Sequence, residues 1–483
     1  MNDFENNPLY KIMHPKNIAF WGASSNSMSM GSIQLASLLM LGFEGNVYPI
    51  HPRDKEIKGL KAYSRISDVP EKVDLAILVI PTAIVAQILQ ECGEAGVKRA
   101  IVVSAGFSEK EGKEGKELQK KIVEVADSYG IKFIGPNCIG VVNSYLKLNT
   151  TFNPYDAAPG FIGMASQSGS FITQMFGHLS KSGLGFSQAL SLGNEAMIDL
   201  SDCLEYLAHC PKTKVIALYI EGIRRGRHFV EVAKKVSKIK PIVSYYIGGS
   251  EAGRRAGQSH TGAMAGPDRL YDGVFRQCGI IRAHSIEELF DFCYVLGTQP
   301  LPQGNRLAIL THSGGPGAAA ADSAERAGLE LAELSPATLQ ALAPLLPYTA
   351  SVKNPVDLTF AKNLNDYMAT LPRILLKDQQ IDSLFLYCLM PQQRVMLGVL
   401  GTGQGLEQAQ QIVSEYVKEQ SAIAANLSSE SGKPVVGGTF CDRSELFVRE
   451  LQDRGMTVLP SPERGVAGLG ALYRYSKWRK TFS

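Results

Sequence analysis

The chain has 483 residues, which at roughly 150 residues per domain predicts about three domains. Apolar residues make up 45% of it and charged residues 20%, which excludes a largely disordered protein. The 49 basic residues against 46 acidic ones leave a net charge of +3. This balance argues against nucleic acid or an anionic membrane surface as the main partner.

The cysteines and the apolar runs exclude several further classes. Eight cysteines are dispersed along the chain without a CxxC pair, so their spacing predicts neither a metal site nor a disulfide framework. The first seven residues carry acids and amides where a signal peptide needs basic residues and then an apolar run. No stretch approaches the ~18 apolar residues of a membrane span. We therefore expect a cytoplasmic protein.

Short apolar runs alternate with longer amphipathic stretches, such as Lys116–Ser128, through the first third of the chain. Each run is rich in Ile, Val or Leu and too short for a helix. The runs are Ile18–Trp21, Val47–Ile50, Leu75–Ile80, Ala100–Val103 and Ile131–Ile134. This alternation predicts βαβ units and a parallel sheet, which makes the chain an α/β protein.

Two more blocks follow the first, at the turn-rich segment 153–160 and at the linker-like segment 298–304. The predicted domains are therefore residues 1–150, 151–299 and 300–483. Eight further strands are predicted in the second and third domains. They are Phe161–Ala165, Val215–Ile220, Ile242–Tyr246, Gly279–Arg282, Arg306–Leu310, Ser383–Tyr387, Val435–Val436 and Met456–Leu459.

The second and third blocks share an internal similarity. Ser168-Gly169 is followed fifteen residues later by Gly183-Leu184, and Ser313-Gly314 is followed at the same distance by Gly328-Leu329. Two copies are too few for a solenoid, so we expect two related doubly wound domains. The basic tail, Tyr473–Ser483, is predicted to be frayed.

The first predicted strand leads into the turn Gly22–Gly31, which is rich in Ser and Asn. Gly22 permits a tight turn, and Ser24, Ser25 and Asn26 place polar groups beside the free N–H groups of a helix start. Such a turn can cradle a phosphate. A capped helix start explains the same residues equally well.

The end of the second predicted strand distinguishes between cofactors. NAD-binding folds usually place an acid there for the ribose hydroxyls, whereas this chain has Pro52-Arg53, with Asp54 only after them. A basic residue suits an additional phosphate, as on NADP or coenzyme A. A solvated charge cluster over residues 53–56 is the alternative.

Three further strand ends carry small or turn-forming residues, at Ile80-Pro81, at Gly106 and at Asn137-Cys138. Ligands of a parallel sheet sit at the carboxyl ends of its strands. The pattern therefore predicts a long ligand lying across this edge.

Two Ser-Gly turns each follow a predicted strand and open a predicted helix. They are Ser168-Gly169-Ser170 and Ser313-Gly314-Gly315. A helix N-terminus carries roughly half a positive charge and several free N–H groups. Two such ends can clamp one phosphoryl group, whereas an ordinary capped helix explains each turn on its own.

Among the eight histidines, His260 has an unusual context, because Gly257 and Gly262 bracket it in a polar loop. A histidine on such a loop can act as a nucleophile, and it then needs an orienting carboxylate. Glu221, directly after the predicted strand Val215–Ile220, and Glu195 are the candidates by position.

Taken together, these motifs resemble the alpha subunits of nucleoside-diphosphate-forming acyl-CoA synthetases, especially the ADP-forming acetyl-CoA synthetases. Succinyl-CoA synthetase is a more distant relative. The resemblance covers nearly the whole chain. Its most specific segments are Ser259–Gly266, Gly135–Gly140, Ser166–Gly169 and Lys353–Leu358.

The resemblance implies a fold and a set of site residues. The fold is an N-terminal Rossmann-like CoA-binding domain followed by two flavodoxin-like domains of the succinyl-CoA synthetase type. By this resemblance His260 is the phosphorylated residue. Glu221 holds its imidazole ring, and Glu195 is the second candidate for that role. The helices that begin at Ser168 and Ser313 hold phosphate. The implied CoA contacts are Gly22, Ser24, Ser25, Asn26, Pro52, Arg53, Ile80, Pro81, Gly106, Asn137 and Cys138.

The implied reaction is reversible: acyl-CoA, ADP and phosphate give a small carboxylic acid, CoA and ATP through an acyl phosphate and a phosphohistidine. Nothing in the chain has the pattern of an ATP-grasp domain. The resemblance therefore implies a separate ATP-grasp beta subunit that holds most of the ADP or ATP with Mg²⁺, in an α2β2 assembly. No nucleic acid or membrane partner and no protein-bound metal site are expected.

Two other functions remain open at this point. A nicotinamide-dependent oxidoreductase fits the opening turn, but Arg53 and the absence of G-x-G-x-x-G argue against it. A non-catalytic CoA-binding regulator fits the same fold, but the His260 loop and Glu221 argue against it.

Overall fold

The computed structural model describes residues 3–110, 112–249, 266–358, 364–390 and 392–482. The chain divides into two compact units, Met1–His284 and Ser285–Ser483. The first unit contains two large sheets and the second contains one. The three-domain boundaries expected at residues 150 and 299 stay a prediction.

The first sheet of the first unit has five strands, all parallel. The strands are β1 (Asn17–Trp21), β2 (Asn46–Ile50), β5 (Leu75–Leu78), β6 (Arg99–Val102) and β7 (Lys132–Ile134). A separate hairpin between β2 and β5 consists of β3 (Glu56–Ile57) and β4 (Leu60–Lys61). The helices are α1 (Asp3–Asn6), α2 (Tyr10–Met13), α3 (Met30–Met40), α4 (Val85–Glu94) and α5 (Glu114–Tyr129). The strand order is β2-β1-β5-β6-β7.

The second sheet has seven strands in the order β14-β13-β12-β10-β11-β8-β9. They are β8 (Val141–Asn143), β9 (Leu148–Asn149), β10 (Ile162–Ser166), β11 (Phe186–Ser191), β12 (Val215–Ile220), β13 (Ile242–Tyr246) and β14 (Ile280–Ala283). The helices are α6 (Gly169–Ser182), α7 (Leu200–His209), α8 (Gly226–Ile239) and α9 (Asp268–Cys278). β10 to β14 are parallel, and β8 and β9 extend the sheet antiparallel.

The second unit is built on a parallel sheet in the order β16-β15-β18-β19-β20, with β17 paired to the end of β15. Its strands are β15 (Arg306–Thr311), β16 (Glu330–Leu331), β17 (Val356–Asp357), β18 (Ser383–Tyr387), β19 (Val435–Gly438) and β20 (Thr457–Leu459). Its helices are α10 (Ile286–Thr298), α11 (Gly314–Arg326), α12 (Pro336–Leu342), α13 (Leu364–Met368), α14 (Thr370–Lys377), α15 (Gln392–Leu400), α16 (Leu406–Ala425), α17 (Leu427–Ser431), α18 (Leu446–Asp453) and α19 (Pro462–Phe482).

All three sheets share one strand order, in which the first parallel strand lies between the second and the third, if the two-residue strand β17 is left aside. β1, β10 and β15 occupy this position. Such sheets bind ligands in the crevice where the order reverses, beyond the carboxyl ends of the first and third strands. The central parallel strands β1, β5, β12 and β15 are almost wholly buried, as expected when helices cover both faces. These observations confirm the expected α/β class.

Two details differ from the sequence expectations. The tail is not frayed: α19 continues to Phe482, because Tyr475 and Trp478 are buried within the second unit. β11 was not predicted at all, since Ser187 and Gln188 interrupt its apolar pattern, yet all six of its residues are buried.

The described part of the chain contains no helix long and apolar enough to span a bilayer. Among the same residues, no group of three or more acidic, histidine or cysteine side chains is arranged to hold a metal ion.

Candidate active site

The turn after β1 depends on a glycine. Gly22 has φ +100°, and a Cβ there would come within 1.9 Å of the carbonyl oxygen of Val79, just beyond β5. Gly31, in the first turn of α3, packs closely against Gly22, because a Cβ at position 31 would lie 2.3 Å from the carbonyl oxygen of Gly22. The start of α3 therefore packs directly on the crevice between β1 and β5.

The polar loop beyond Gly22 contacts an acid rather than a base. The N–H of Ser25 donates to Asp54 Oδ2 at 2.8 Å, and this hydrogen bond lowers the pKa of Asp54. The N–H of Asp54 donates in turn to Nδ1 of His51 at 2.9 Å. Arg53, which the sequence suggested for an additional phosphate, is exposed beside this cluster.

A cavity of about 1150 Å³ is lined by residues at the carboxyl ends of β1 and β2 and also by residues that precede β5 and β6. Three residues expected from the sequence line it, namely Gly22, Pro52 and Ile80, and so do His51 and Arg65, which were not expected. The other expected residues stand outside its lining: Ser24, Ser25, Asn26, Arg53, Pro81, Gly106, Asn137 and Cys138. Arg65 follows no strand but begins a short 3₁₀ turn. A search of the sequence for residues at the ends of predicted strands therefore does not find it.

The ends of β5 and β6 are joined by hydrogen bonds. The hydroxyl of Ser104 donates to the carbonyl of Ile80 at 2.5 Å. Beyond Pro81, the hydroxyl of Thr82 donates at 2.5 Å to the carbonyl that precedes Gly106. The loops that carry Pro81 and Gly106 are therefore neighbours at one edge of the sheet.

Asn137 and Cys138 connect the first sheet to the second. Asn137, in the left-handed region at φ +59°, donates from Nδ2 to Oδ1 of Asn194 at 3.3 Å. The Cys138 thiol is buried and donates to the Val102 carbonyl at 3.3 Å, and burial raises its pKa to about 12. Only the backbone of Cys138 is therefore left to meet a ligand.

The carboxyl edge of the second sheet is organised by Gln167, which directly follows β10. Its side-chain oxygen accepts hydrogen bonds from the N–H groups of Glu221 and Gly222 at 2.6 and 3.0 Å. Its side-chain nitrogen donates to the Gly222 carbonyl at 2.7 Å and to Glu195 Oε2 at 2.8 Å. The structure thus brings both candidate carboxylate residues into one hydrogen-bonded cluster, with Glu221 half-buried at the end of β12.

Glu195 is held tightly within this cluster. It is buried, with φ +48°, and its Oε1 accepts the N–H of Leu200 at the start of α7 at 3.0 Å. Burial raises the pKa of Glu195 to about 8, although the Gln167 hydrogen bond and the charge of Arg224 act in the opposite direction. Both of its oxygens accept hydrogen bonds, and the choice between Glu195 and Glu221 as the residue that orients a histidine stays a prediction.

Each predicted Ser-Gly turn does open a helix. Ser168 and Ser313 are the N-cap residues of α6 and α11, and neither side chain caps its helix. The local hydrogen bonding is equivalent: the hydroxyls of Ser166 and Thr311 donate to the carbonyls of Ser168 and Ser313 at 2.7 and 2.8 Å. The N–H groups that begin at Gly169 and Gly314, followed by Ser170 and Gly315, are therefore not occupied by the N-cap side chains.

The expected nucleophile, His260, lies outside the described residues, as do Gly257 and Gly262. Its relation to Glu221 and to α6 stays a prediction.

Models of three protein families match the chain. Residues 16–144 match a CoA binding domain, residues 159–296 a succinyl-CoA ligase like flavodoxin domain, and residues 307–394 a Ligase-CoA domain. The first match contains the cavity, the second contains the Gln167 cluster, and the third contains the start of α11.

Characterised relatives match over nearly the whole chain. The alpha subunit of acetate–CoA ligase [ADP-forming] II from Pyrococcus furiosus is 40% identical over 96% of this chain and 97% of its own length. The alpha subunit of isoform I from the same organism is 37% identical over 98% of each. A solved acetyl-coenzyme A synthetase 1 of Ca. Korarchaeum cryptofilum, in complex with phosphate and ADP, superimposes with a TM-score of 0.85 at 34% identity over 98% of each chain.

The chain therefore belongs to the family of alpha subunits of ADP-forming acetate–CoA ligases, which are acid–thiol ligases.

Proposed function

We propose that this chain interconverts acyl-CoA, phosphate and ADP with free acid, CoA and ATP by way of an acyl phosphate and a phosphohistidine at His260. A phosphate oxygen attacks the thioester carbonyl, and the C–S bond breaks to release CoA. A ring nitrogen of His260 then takes the phosphoryl group as the P–O bond to the acid breaks. ADP finally accepts the phosphoryl group from His260.

The observation that carries this proposal is the arrangement at the carboxyl edge of the second sheet. The N-terminus of α6, whose N-cap side chain leaves its N–H groups unoccupied, lies one residue beyond Gln167, and Gln167 is bonded to the backbone of Glu221. Helix N–H groups and the helix dipole favour a phosphoryl group. A nearby carboxylate favours a charged imidazole ring. Phosphoryl transfer depends mainly on such positioning and electrostatics.

α11 offers the same chemistry within the second unit, because Ser313 leaves the first N–H groups of that helix uncapped as well. We propose that Ser313–Gly315 also binds phosphate. Joint clamping of one phosphoryl group by both helices stays a prediction.

The cavity of the first sheet is the proposed CoA site. Its lining includes the apolar Trp21 and Ile80, the cations of Arg65 and Lys72, and three glutamates, Glu71, Glu91 and Glu94. The apolar residues suit an adenine ring, and the two cations suit phosphates. Ser24–Asn26, Arg53 and the Pro81, Gly106 and Asn137-Cys138 turns stay predicted contacts for parts of the coenzyme outside the cavity.

The proposed partner is an ATP-grasp beta subunit in an α2β2 assembly, which holds most of the ADP or ATP with Mg²⁺. The proposed substrate is a small carboxylic acid. The relatives described above are named for acetate, and two further relatives are named for 4-hydroxybutyrate and for a feruloyl group, so the proposal leaves the acyl group open.

Phosphate labelling tests the central step. The complete enzyme, incubated with γ-labelled ATP and Mg²⁺, is expected to carry an acid-labile, base-stable phosphate on this chain. His260→Ala is expected to abolish the label, whereas His209→Ala, at an exposed position at the end of α7, is expected to keep it. Label retained at the wild-type level in His260→Ala would refute the proposal.

A further inference from the structure

Gln167 uses the full hydrogen-bonding capacity of its amide. The oxygen accepts two N–H groups and the nitrogen donates to two oxygens, at distances of 2.6–3.0 Å. Its side chain is 7% exposed, so water is not a ready substitute for these partners. Because an amide presents two acceptor sites and two donor hydrogens, a glutamine meets all the requirements of this position.

The position of Gln167 in the fold adds to this. It stands between the ends of β10 and β12, the first and third parallel strands of the second sheet, where the strand order reverses. The N-cap of α6, Ser168, is the next residue along the chain. The hydrogen bond between the Gln167 side chain and the backbone N–H of Glu221 therefore crosses the crevice. It links the start of α6, the proposed phosphate-binding helix, to the end of β12.

The backbone N–H groups of Glu221 and Gly222 fix which way the Gln167 amide points. A backbone N–H can only donate, so the amide oxygen of Gln167 must face these two groups. The amide nitrogen of Gln167 therefore faces Glu195, whose other oxygen accepts the N–H of Leu200.

We propose that Gln167 and Glu195 act as a positioning pair that holds Glu221 at a fixed distance from the N-terminus of α6. This inference rests on the function proposed above. Neither residue touches the reacting atoms in this scheme. They act by keeping the carboxylate that orients His260 in place, because displacements of about 1 Å at an active site can cost on the order of 100-fold in rate.

The first variant is Gln167→Glu. It keeps an acceptor for the N–H groups of Glu221 and Gly222 but replaces the donor nitrogen with an oxygen that faces Glu195 and the Gly222 carbonyl. The two carboxyl groups then need a shared proton, which is bound at low pH and lost as the pH rises. We expect phosphorylation to slow by at least tenfold at pH 8 and to recover towards pH 6, with the KM for CoA unchanged.

The second variant exchanges the pair, Gln167→Glu with Glu195→Gln. The amide at position 195 can donate to the carboxylate at position 167 and accept the N–H of Leu200, so only the bond to the Gly222 carbonyl is lost. We expect the double variant to recover most of the rate and to lose the added pH dependence. Gln167→Met, similar in size but without these bonds, is expected to be slow at every pH.

Gln188→Glu on β11 is the matched control, since Gln188 is 2% exposed in the same sheet. It is expected to lower stability without adding the pH-dependent loss of rate. Thermal unfolding of every variant separates folding defects from slow transfer.

The outcomes distinguish the two proposals. If the wild-type enzyme takes no label from ATP, the proposed function fails and the positioning role fails with it. If the wild type is labelled but Gln167→Glu and Gln167→Met keep its rate and pH profile, only the positioning role is overturned. A double variant no better than the slower single variant, though equally well folded, would also overturn it.

Discussion

At the scale of single residues, two arginines compete for the phosphate of the coenzyme. Arg65 lines the cavity, whereas Arg53 is exposed outside its lining. A charge-assisted bond to phosphate is typically stronger than a neutral one. We therefore expect Arg65→Ala to weaken CoA binding by roughly tenfold, which is about 1.4 kcal/mol, and to remove the preference for CoA over dephospho-CoA.

Calorimetry with both ligands measures this effect, and Arg53→Ala is the matched comparison. We expect Arg53→Ala to change the affinity by less than about threefold, because an exposed charge interacts weakly through water. If Arg53→Ala removes the preference for CoA and Arg65→Ala does not, the phosphate lies at the position expected from the sequence.

Some of the site residues were predictable and others were not. Glu221 and the two N-cap serines follow predicted strands, and parallel strands bring their carboxyl ends to one edge. Gln167 is different, because its importance depends on partners 28 and 54 residues away. A glutamine gives no local signal for such contacts, and a single sequence does not reveal them.

At the scale of secondary-structure elements, the C-terminal helix α19 supports the second unit. Trp478 is only 9% exposed, and its ring contacts that of Phe482 at a tilt of 36°, with the centroids 5.4 Å apart. The hydroxyl of the buried Ser476 donates to the Pro302 carbonyl at 2.8 Å. Removing a buried Trp side chain typically costs about 3–5 kcal/mol. We expect Trp478→Ala to lower the free energy of unfolding of the second unit by an amount in that range.

Denaturant unfolding followed by circular dichroism measures this loss. Lys477→Ala, on the exposed side of the same helix, is expected to change stability by less than about 0.5 kcal/mol. Equal stability of Trp478→Ala and the wild type would mean that the tail is frayed, as the basic composition had suggested.

The strands show which kind of segment an apolar pattern predicts and which kind it misses. The predicted strands are continuous apolar runs, which are typical of parallel strands covered on both faces. β11 carries Ser187 and Gln188 inside the same kind of sheet, and Ser187 is accommodated by a hydrogen bond to the hydroxyl of Thr213 at 2.8 Å. A buried polar residue with a specific partner cannot be distinguished from an exposed one by pattern alone.

At the scale of the whole molecule, the internal similarity between the second and third blocks has a structural basis. Each Ser-Gly turn follows the first parallel strand of a sheet with the same strand order, and a hydroxyl two residues before the N-cap makes the same bond in each. Two copies of one helix-opening turn within a chain support the proposed phosphoryl transfer over a simple CoA-binding regulator.

The coverage of the relatives bears on where the nucleotide binds. The alpha subunit from Pyrococcus furiosus is matched over 97% of its length, whereas acetate–CoA ligase [ADP-forming] I of Archaeoglobus fulgidus is matched over only 64%. About a third of that second protein has no counterpart here. This unmatched third agrees with the proposal made above that a separate subunit binds the nucleotide for this chain.

We accordingly expect the purified chain alone to make no acyl-CoA from ATP, acid and CoA, and an added ATP-grasp subunit to restore the reaction. The physical reason is that phosphoryl transfer needs ADP or ATP held in line with the proposed phosphohistidine, while the sites proposed here in the three matched domains account for CoA and phosphate only. Acyl-CoA formation measured with each subunit alone and with both together tests this. The chain alone should still bind CoA, which shows that it is folded, whereas robust ATP-dependent synthesis by the chain alone would place the nucleotide site within these 483 residues.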